Sequence, residues 1–470
     1  NLILGEAMRS LTVLFLILVL ALVSCQSAPP QTLIPATQAD ESTSTPAPVP
    51  ATATSTSTAA VTATATAVPV GTIHVDTLEQ EIYPFVENGK CSLGEAIFAA
   101  NAGEPKDSCA AGAADQSVIE LMPGEYHFTQ RDQTPPQVEW AFSLSTVGNA
   151  LPSVLLPLTI NGNGAVLIRD EAADPFRFFE ALFGALTLND LTLQGGDVGE
   201  DEWGGAIYAS NVPVVLDHVR FVGNHADNGG GLYFTFGKLT VTNSEFVENR
   251  AGFAGGGLYL DSAKAEIIST QFIGNHVGGQ GGGLRAESVT LTVEDSLFMQ
   301  NKTDSTRGGG MYLYHVNAVI TRSEFYQNQS SWVGGAISIY NPTIQGTDTE
   351  EGDPLEGLDQ SSTVTDLMTS IPGFEETLQA HPSGVFVDFH EDGQIHDSCF
   401  ANNITTDPND PNWAAALVGM SQADSNYWGD PSGPAGWGPG KGDQIGKKIT
   451  FEPFLDVRPE YCDLDLSDQQ

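Results

Sequence analysis

The sequence predicts an all-β chain whose body is a single-stranded parallel β-helix, on three observations. Two motifs alternate from about residue 200. A glycine cluster followed by an aliphatic residue occurs as "GGAI" (204–207), "GGGL" (229–232, 255–258 and 281–284), "GGGM" (308–311) and "GGAI" (334–337). A Phe-x-x-Asn motif occurs at Phe221/Asn224, Phe246/Asn249, Phe272/Asn275, Phe298/Asn301 and Phe325/Asn328, with a late copy at Phe400/Asn403. The spacing is nearly constant: successive phenylalanines from Phe221 to Phe325 lie 25, 26, 26 and 27 residues apart, the period of a solenoid. Each period holds short alternating runs such as "KLTVTNSEF" (238–246) broken by glycine, without the leucine grid of leucine-rich repeats or the helices of ankyrin repeats.

In such a coil of two or three short strands, layers repeat at ~4.8 Å and equivalent residues sit above one another. Phe221, Phe246, Phe272, Phe298 and Phe325 are then expected to form an internal aromatic stack. Asn224, Asn249, Asn275, Asn301 and Asn328 are expected at one turn of every coil, where Asn tolerates the left-handed conformation and its amide reaches the neighbouring coils. Ser244, Thr270, Ser296 and Ser323 would form a hydroxyl ladder beside them, and the glycine clusters suit tight turns. All of these read as structural rather than catalytic.

The chain has 470 residues and carries 59 acidic against 18 basic side chains, a formal charge of −41. A surface of that sign repels nucleic acid and anionic lipid, so no nucleic-acid partner is expected.

Met8 reads as the start of translation, and residues 8–25 as a signal peptide: Arg9, then the apolar run "LTVLFLILVLAL" (11–22), too short to span a bilayer. The run ends in "LVSC" (22–25), which resembles the lipobox of bacterial lipoproteins. The resemblance implies that Cys25 is lipidated and that the membrane is a partner through that lipid; two or more acyl chains hold a protein stably. An ordinary secretory signal with a chance cysteine is the alternative. Residues 26–70, dominated by Thr, Ser, Ala and Pro, have no apolar period and are expected to form a disordered stalk reaching on the order of 100 Å.

The paired GGA[I/L] and FxxN repeats resemble the polymorphic outer-membrane proteins, surface adhesins whose passenger is a right-handed, pectin-lyase-like β-helix. The match covers about 190–340 and 398–403. Those proteins continue into a membrane β-barrel; this sequence runs to the acidic "EYCDLDLSDQQ", so the lipid on Cys25 is expected to be the anchor. "CSLGEAIFAANAG" (91–103) resembles the CSLREA motif that precedes such domains. It implies a short N-terminal capping helix, with Ser92 and Glu95 as a capping box. Gly94 stands where that motif has Arg, a change expected to weaken the helix by ~1 kcal/mol. "SNYWGDPSGP" (425–434) and "ITFEPFL" (449–455) resemble the terminal coils of bacterial β-helix proteins, giving a body of 71–462 closed by coils and a cap at 425–462. With Cys25 lipidated, these resemblances leave two disulfides, Cys91 with Cys109 and Cys399 with Cys462, and an oxidising, exported location. Residues 341–390 interrupt the period and read as an acidic loop insertion, functional or merely tolerated.

Strand alternation sorts the residues after each glycine cluster. Ile207, Leu232, Leu258, Leu284, Met311 and Ile337 point inward. Tyr208, Tyr233, Tyr259, Arg285, Tyr312 and Ser338 point outward, followed by Ser210, Thr235, Asp261, Glu287, Tyr314 and Tyr340. Stacked, they make a tyrosine-striped face with Asp261, Arg285 and Glu287 near its centre, suited to a sugar chain lying on aromatic rings. Cross-strand pairing of the tyrosines is the structural alternative. Asp261 and Glu287 lie one coil apart and could serve as a glycosidase pair, and Arg285 beside acids has the flavour of a polysaccharide lyase, but no lyase or polygalacturonase signature is present. His218, His225, His276 and His315 lack zinc spacing, so no metal site is assigned. A Ca²⁺ ion is compatible with so acidic a surface, although no D-x-D-x-D-G loop occurs. The expectation is a monomeric, lipid-anchored binding or adhesion module for extracellular polysaccharide or another cell surface. A polysaccharide lyase or glycoside hydrolase, and a structural spacer, are the alternatives.

Overall fold

The computed structural model describes residues 71–134, 148–340 and 394–401, and shorter segments between 403 and 462. Cys25, the segments 8–25 and 26–70 and the insertion 341–390 lie outside the described residues. The body is a right-handed parallel β-helix of about seven coils. Among the described residues its strands form three parallel sheets of 16, ten and six strands. One continuous apolar core runs inside them from Ile73 to Trp428.

The stacking register follows the sequence period. Phe221, Phe246, Phe272, Phe298, Phe325 and Phe400 pair in succession across neighbouring strands. Their rings lie parallel within 10°, with centroids 4.5 to 5.1 Å apart. Trp428 of the C-terminal "YWG" closes the stack, 4.7 Å from Phe400 and fully buried.

The asparagines form a second column, buried beside the first. Asn275 shows the pattern. Its Nδ2 donates to Asn301 Oδ1 (2.9 Å) and to the Phe246 carbonyl (2.7 Å). Its Oδ1 accepts from the Asn249 backbone N–H and from Asn249 Nδ2, both at 3.0 Å. The same bonds continue to Asn403. Amide donors and acceptor are therefore all used, as burial requires. A third column passes from Ser296 through Ser323 and Ser398 to Asn426, each side-chain oxygen accepting a backbone N–H from the coil before.

The Asn column itself is not the left-handed turn. That conformation falls one residue earlier, at Gly223, Glu248, Gly274, Gln300 and Gln327. Other corners repeat the device. Asp190, His218, Asn243, Ser269, Asp295, Arg322 and Asp397 bend the 16-stranded sheet with φ between 47° and 53°. Asn211, Phe236, Ser262, Ser288 and His315 do so after the ten-stranded sheet. Left-handed residues other than glycine are unfavourable. Here the repeated turn aims each N–H at the next coil, as in Asn243 to Ile268 (3.1 Å) and Glu248 to Ile273 (2.9 Å). The glycine clusters answer two demands. The first glycine of each, Gly204, Gly229, Gly255, Gly281, Gly308 and Gly334, turns with φ between 63° and 72°. The next admits close backbone approach, since a Cβ at Gly230 would lie 2.3 Å from the Arg250 carbonyl oxygen and 2.4 Å from that of Gly256.

The N-terminal end is covered by helix α1 (Leu93–Ala102), with the Ser92/Glu95 capping box formed and Gly103 as left-handed C-cap. Leu93, Ala96, Ile97, Ala99 and Ala100 are buried. Gly94 is not a weakness: any Cβ there would lie 2.7 Å from the Glu81 carbonyl oxygen. Cys91 bonds to Cys109 and Cys399 to Cys462, with Cα atoms 4.8 and 6.0 Å apart.

Two substitutions test the columns by chemical denaturation. Phe272→Ala should lower stability by about 3–5 kcal/mol. Asn275→Asp, which sets a carboxylate against the Phe246 and Asn301 oxygens, should cost about 3 kcal/mol or more although its shape is unchanged.

Candidate functional site

The outer face of the ten-stranded sheet carries the residues that alternation places there. One column runs Glu180, Tyr208, Tyr233, Tyr259, Arg285, Tyr312, Ser338. The next runs Ser210, Thr235, Asp261, Glu287, Tyr314, Tyr340. Behind them Ile207, Leu232, Leu258, Leu284, Met311 and Ile337 are fully buried in the core.

The first column is on the outside but is not exposed. Tyr208, Tyr233, Tyr259, Arg285 and Tyr312 keep only 4–8% of their surface. The residues just before each glycine cluster overhang them. Trp203 stacks on Tyr233 at 5.0 Å, Ala254 packs in the same cluster as Tyr208, Tyr233 and Tyr259, and Phe253 meets the Arg285 guanidinium at 5.6 Å. The tyrosine faces are turned on one another: Tyr208 to Tyr233 5.5 Å, Tyr233 to Tyr259 4.9 Å. Arg285 extends the stack, 5.2 Å from Tyr259 and 5.7 Å from Tyr312. Sugar stacking on the faces of Tyr208, Tyr233 and Tyr259, expected from the sequence, is thus pre-empted by their own cross-strand pairing. Exposed aromatic surface around this sheet is supplied instead by Trp203 (44%), Phe253 (37%) and Tyr340 (37%), and by Phe236 (55%) at the corner that follows it.

The charges sort by environment. Arg177, 1% exposed, lies 5.4 Å from the Tyr208 ring. It donates to the Gly204 carbonyl and to Glu202, and lies 3.8 Å from the buried Glu180. Glu180 in turn accepts from Ser153 Oγ (2.8 Å) and Asn149 Nδ2 (3.3 Å). Arg285 is neutralised by Glu287, with Nη2 to Oε2 at 2.8 Å. The Tyr259 hydroxyl donates to the same Glu287 oxygen at 3.0 Å. Burial pushes the Tyr233 and Tyr259 phenols well above their ordinary range, so both stay protonated donors.

Asp261, directly in register with Glu287, differs from it. It is held only by hydroxyls, Ser262 Oγ at 2.8 Å and Thr235 Oγ1 at 3.5 Å. Burial, then the nearby Glu287 charge, raises its pKa. On the overhang, burial and the charges of Asp201 and Glu200 push the Asp227 carboxyl up to about 6.

Sequence reasoning missed the Arg177–Glu180–Glu202 network, although one further step of alternation upstream would have set Glu180 beside Tyr208. Trp203 and Phe253 left no periodic signal, because the overhang varies from coil to coil. Among the described residues no group of three or more His, Cys, Asp or Glu is placed to hold a metal ion. No protein-family model, curated protein or solved structure matches the chain.

Asp227 yields a pH test. Its folded pKa lies above the ordinary value of 3.8, so the folded state holds that proton more tightly. Its contribution is present below about pH 4 and is lost as pH rises to about 6. The loss should be about 1–2 kcal/mol once solvent screening is allowed for. Asp227→Asn should therefore be more stable than the parent at pH 7.5 by that amount and equal to it at pH 4, read by denaturant melts at both pH values.

Proposed function

We propose that this chain is a bacterial cell-surface lipoprotein whose β-helix binds extracellular polysaccharide along the outer face of the ten-stranded sheet. The lipid on Cys25 would hold it to the membrane, and the 26–70 stalk would carry the body outward. The resemblance of 91–103 to the CSLREA motif, and of the repeats to the polymorphic outer-membrane proteins, supports the surface location.

One observation carries the binding reading. The hydrogen-bonding side chains of Thr235, Asp261, Glu287 and Tyr314 stand in register along the coil axis, with the exposed rings of Trp203, Phe253 and Tyr340 on the same side. A polymer of hydroxylated rings matches a periodic row of hydrogen-bonding groups with aromatic edges beside it. Two cations of this face are taken up by acids, Arg177 by Glu180 and Glu202 and Arg285 by Glu287, while Arg307 packs over the rings of Trp332 and Tyr340 at 4.4 and 5.7 Å. The acids Glu200, Asp201 and Asp227 crowd one another on the overhang. The ligand class is therefore neutral or basic glycan rather than polyuronate.

The test is binding of the purified protein to immobilised neutral, amino and acidic polysaccharides. Trp203→Ala with Phe253→Ala should weaken binding to the preferred glycan about tenfold or more, roughly 1.4 kcal/mol, with a lowered but still cooperative thermal transition that shows the coil has folded. Unaltered affinity in the double variant would reject this face. For the anchor, Cys25→Ser should abolish incorporation of labelled fatty acid and move the protein from the membrane fraction to the medium.

A further inference from the structure

We propose that Asp261 and Glu287 form a catalytic pair that hydrolyses a glycosidic bond with retention of configuration. This rests on the reading that a glycan lies along the same face. Three features of the pair carry it.

The two residues face each other on adjacent parallel strands, in register. Strand spacing is ~4.8 Å, and carboxyl groups about 5–5.5 Å apart suit attack by one of them on the sugar rather than by an intervening water. Both are partly exposed, Glu287 with 28% of its side chain accessible.

Their surroundings differ in kind. Glu287 is bonded through Oε2 to a guanidinium and a phenol, both donors. That leaves Oε1 for a reacting carbon. Asp261 has no cation bonded to it, only two hydroxyls, and burial together with the Glu287 charge favours its protonated form. Two like groups in register, one bonded to a cation and a phenol and the other only to hydroxyls, are suited to different roles, nucleophile and acid. Arg285 and Tyr259 act through Glu287 and are positioning residues. The buried stack Tyr233–Tyr259–Arg285–Tyr312 fixes them.

The chemistry balances with water alone. Glu287 Oε1 attacks the anomeric carbon while the bond from that carbon to the leaving oxygen breaks and takes the proton of Asp261. A glycosyl ester on Glu287 and a free sugar hydroxyl result. Water then attacks the same carbon, Asp261 takes the proton from the water, and the ester bond breaks to restore the Glu287 carboxylate. The substrate class is the neutral or basic glycan already argued.

The experiment incubates the full-length protein with a panel of 2,4-dinitrophenyl 2-deoxy-2-fluoro-glycosides in gluco, galacto, manno and xylo configurations. The expected result is a mass increase of one fluoroglycosyl group, mapped to the peptide carrying Glu287 and absent in Glu287→Gln. Asp261→Asn should still take the label, because dinitrophenolate leaves without acid help, which also shows that the site has folded. The same variant should hydrolyse the matching unactivated oligosaccharide about 100-fold more slowly or worse. Tyr259→Phe should be labelled with the acidic limb of its pH profile moved upward, a shift that mere loosening of the fold would not give. No label with any member of the panel, or a label that survives Glu287→Gln, would overturn the pair. If glycan binding persists in that event, only the catalysis falls; if binding is absent too, the underlying reading falls with it.

Discussion

The structure depends on one interlock: each buried asparagine of the Phe-x-x-Asn column bonds at once to its own kind and to the backbone of the neighbouring coil. Asn275 Oδ1 takes both the main-chain and the amide N–H of Asn249, while its Nδ2 reaches Phe246 and Asn301. Sliding one coil along its neighbour would strand all four groups in the interior, where unpaired amides are costly. The column therefore fixes register as well as contributing stability. The Phe stack fills the space beside it, and neither could hold its geometry without the other.

Register on the inside decides what stands on the outside. Because the glycine clusters repeat in step with the asparagines, Tyr208, Tyr233, Tyr259 and Arg285 fall in one row, and Asp261 beside Glu287. The row is then partly roofed by Trp203 and Phe253, which removes water from the arginines and phenols and makes their interactions with the carboxylates stronger. This face is where the chain departs from pure repetition: Arg285 interrupts a run of tyrosines, and Asp261 and Glu287 replace the hydroxyl side chains of Ser210 and Thr235.

Much of the fold was legible because inward positions admit few solutions. A ring repeated every 25 to 27 residues has only the solenoid axis along which to stack. The left-handed turns were harder to read. Gly223, Glu248, Gly274, Gln300 and Gln327 share a conformation without sharing chemistry, so the eye settles on the asparagine one residue later. Gly94 looked like a flaw in a helix and proves to be a point of close backbone approach. Alternation gave the correct side for every tyrosine but not its exposure. Exposure depends on the overhang, where Trp203, Asn228, Ala254 and Gln280 occupy one register position with nothing in common.

Coil-by-coil register is open to direct measurement through Val215, Val319 and Gln394, which share one outward column on the 16-stranded sheet. Spin labels at Val215 and Val319, four coils apart, and at Val215 and Gln394, five coils apart, should give pulsed-EPR backbone separations of about 19 and 24 Å. The second value should exceed the first by a single coil although Gln394 follows the long insertion. Separations that differ by much more than one strand spacing, or broad distributions for either pair, would contradict a continuous in-register helix.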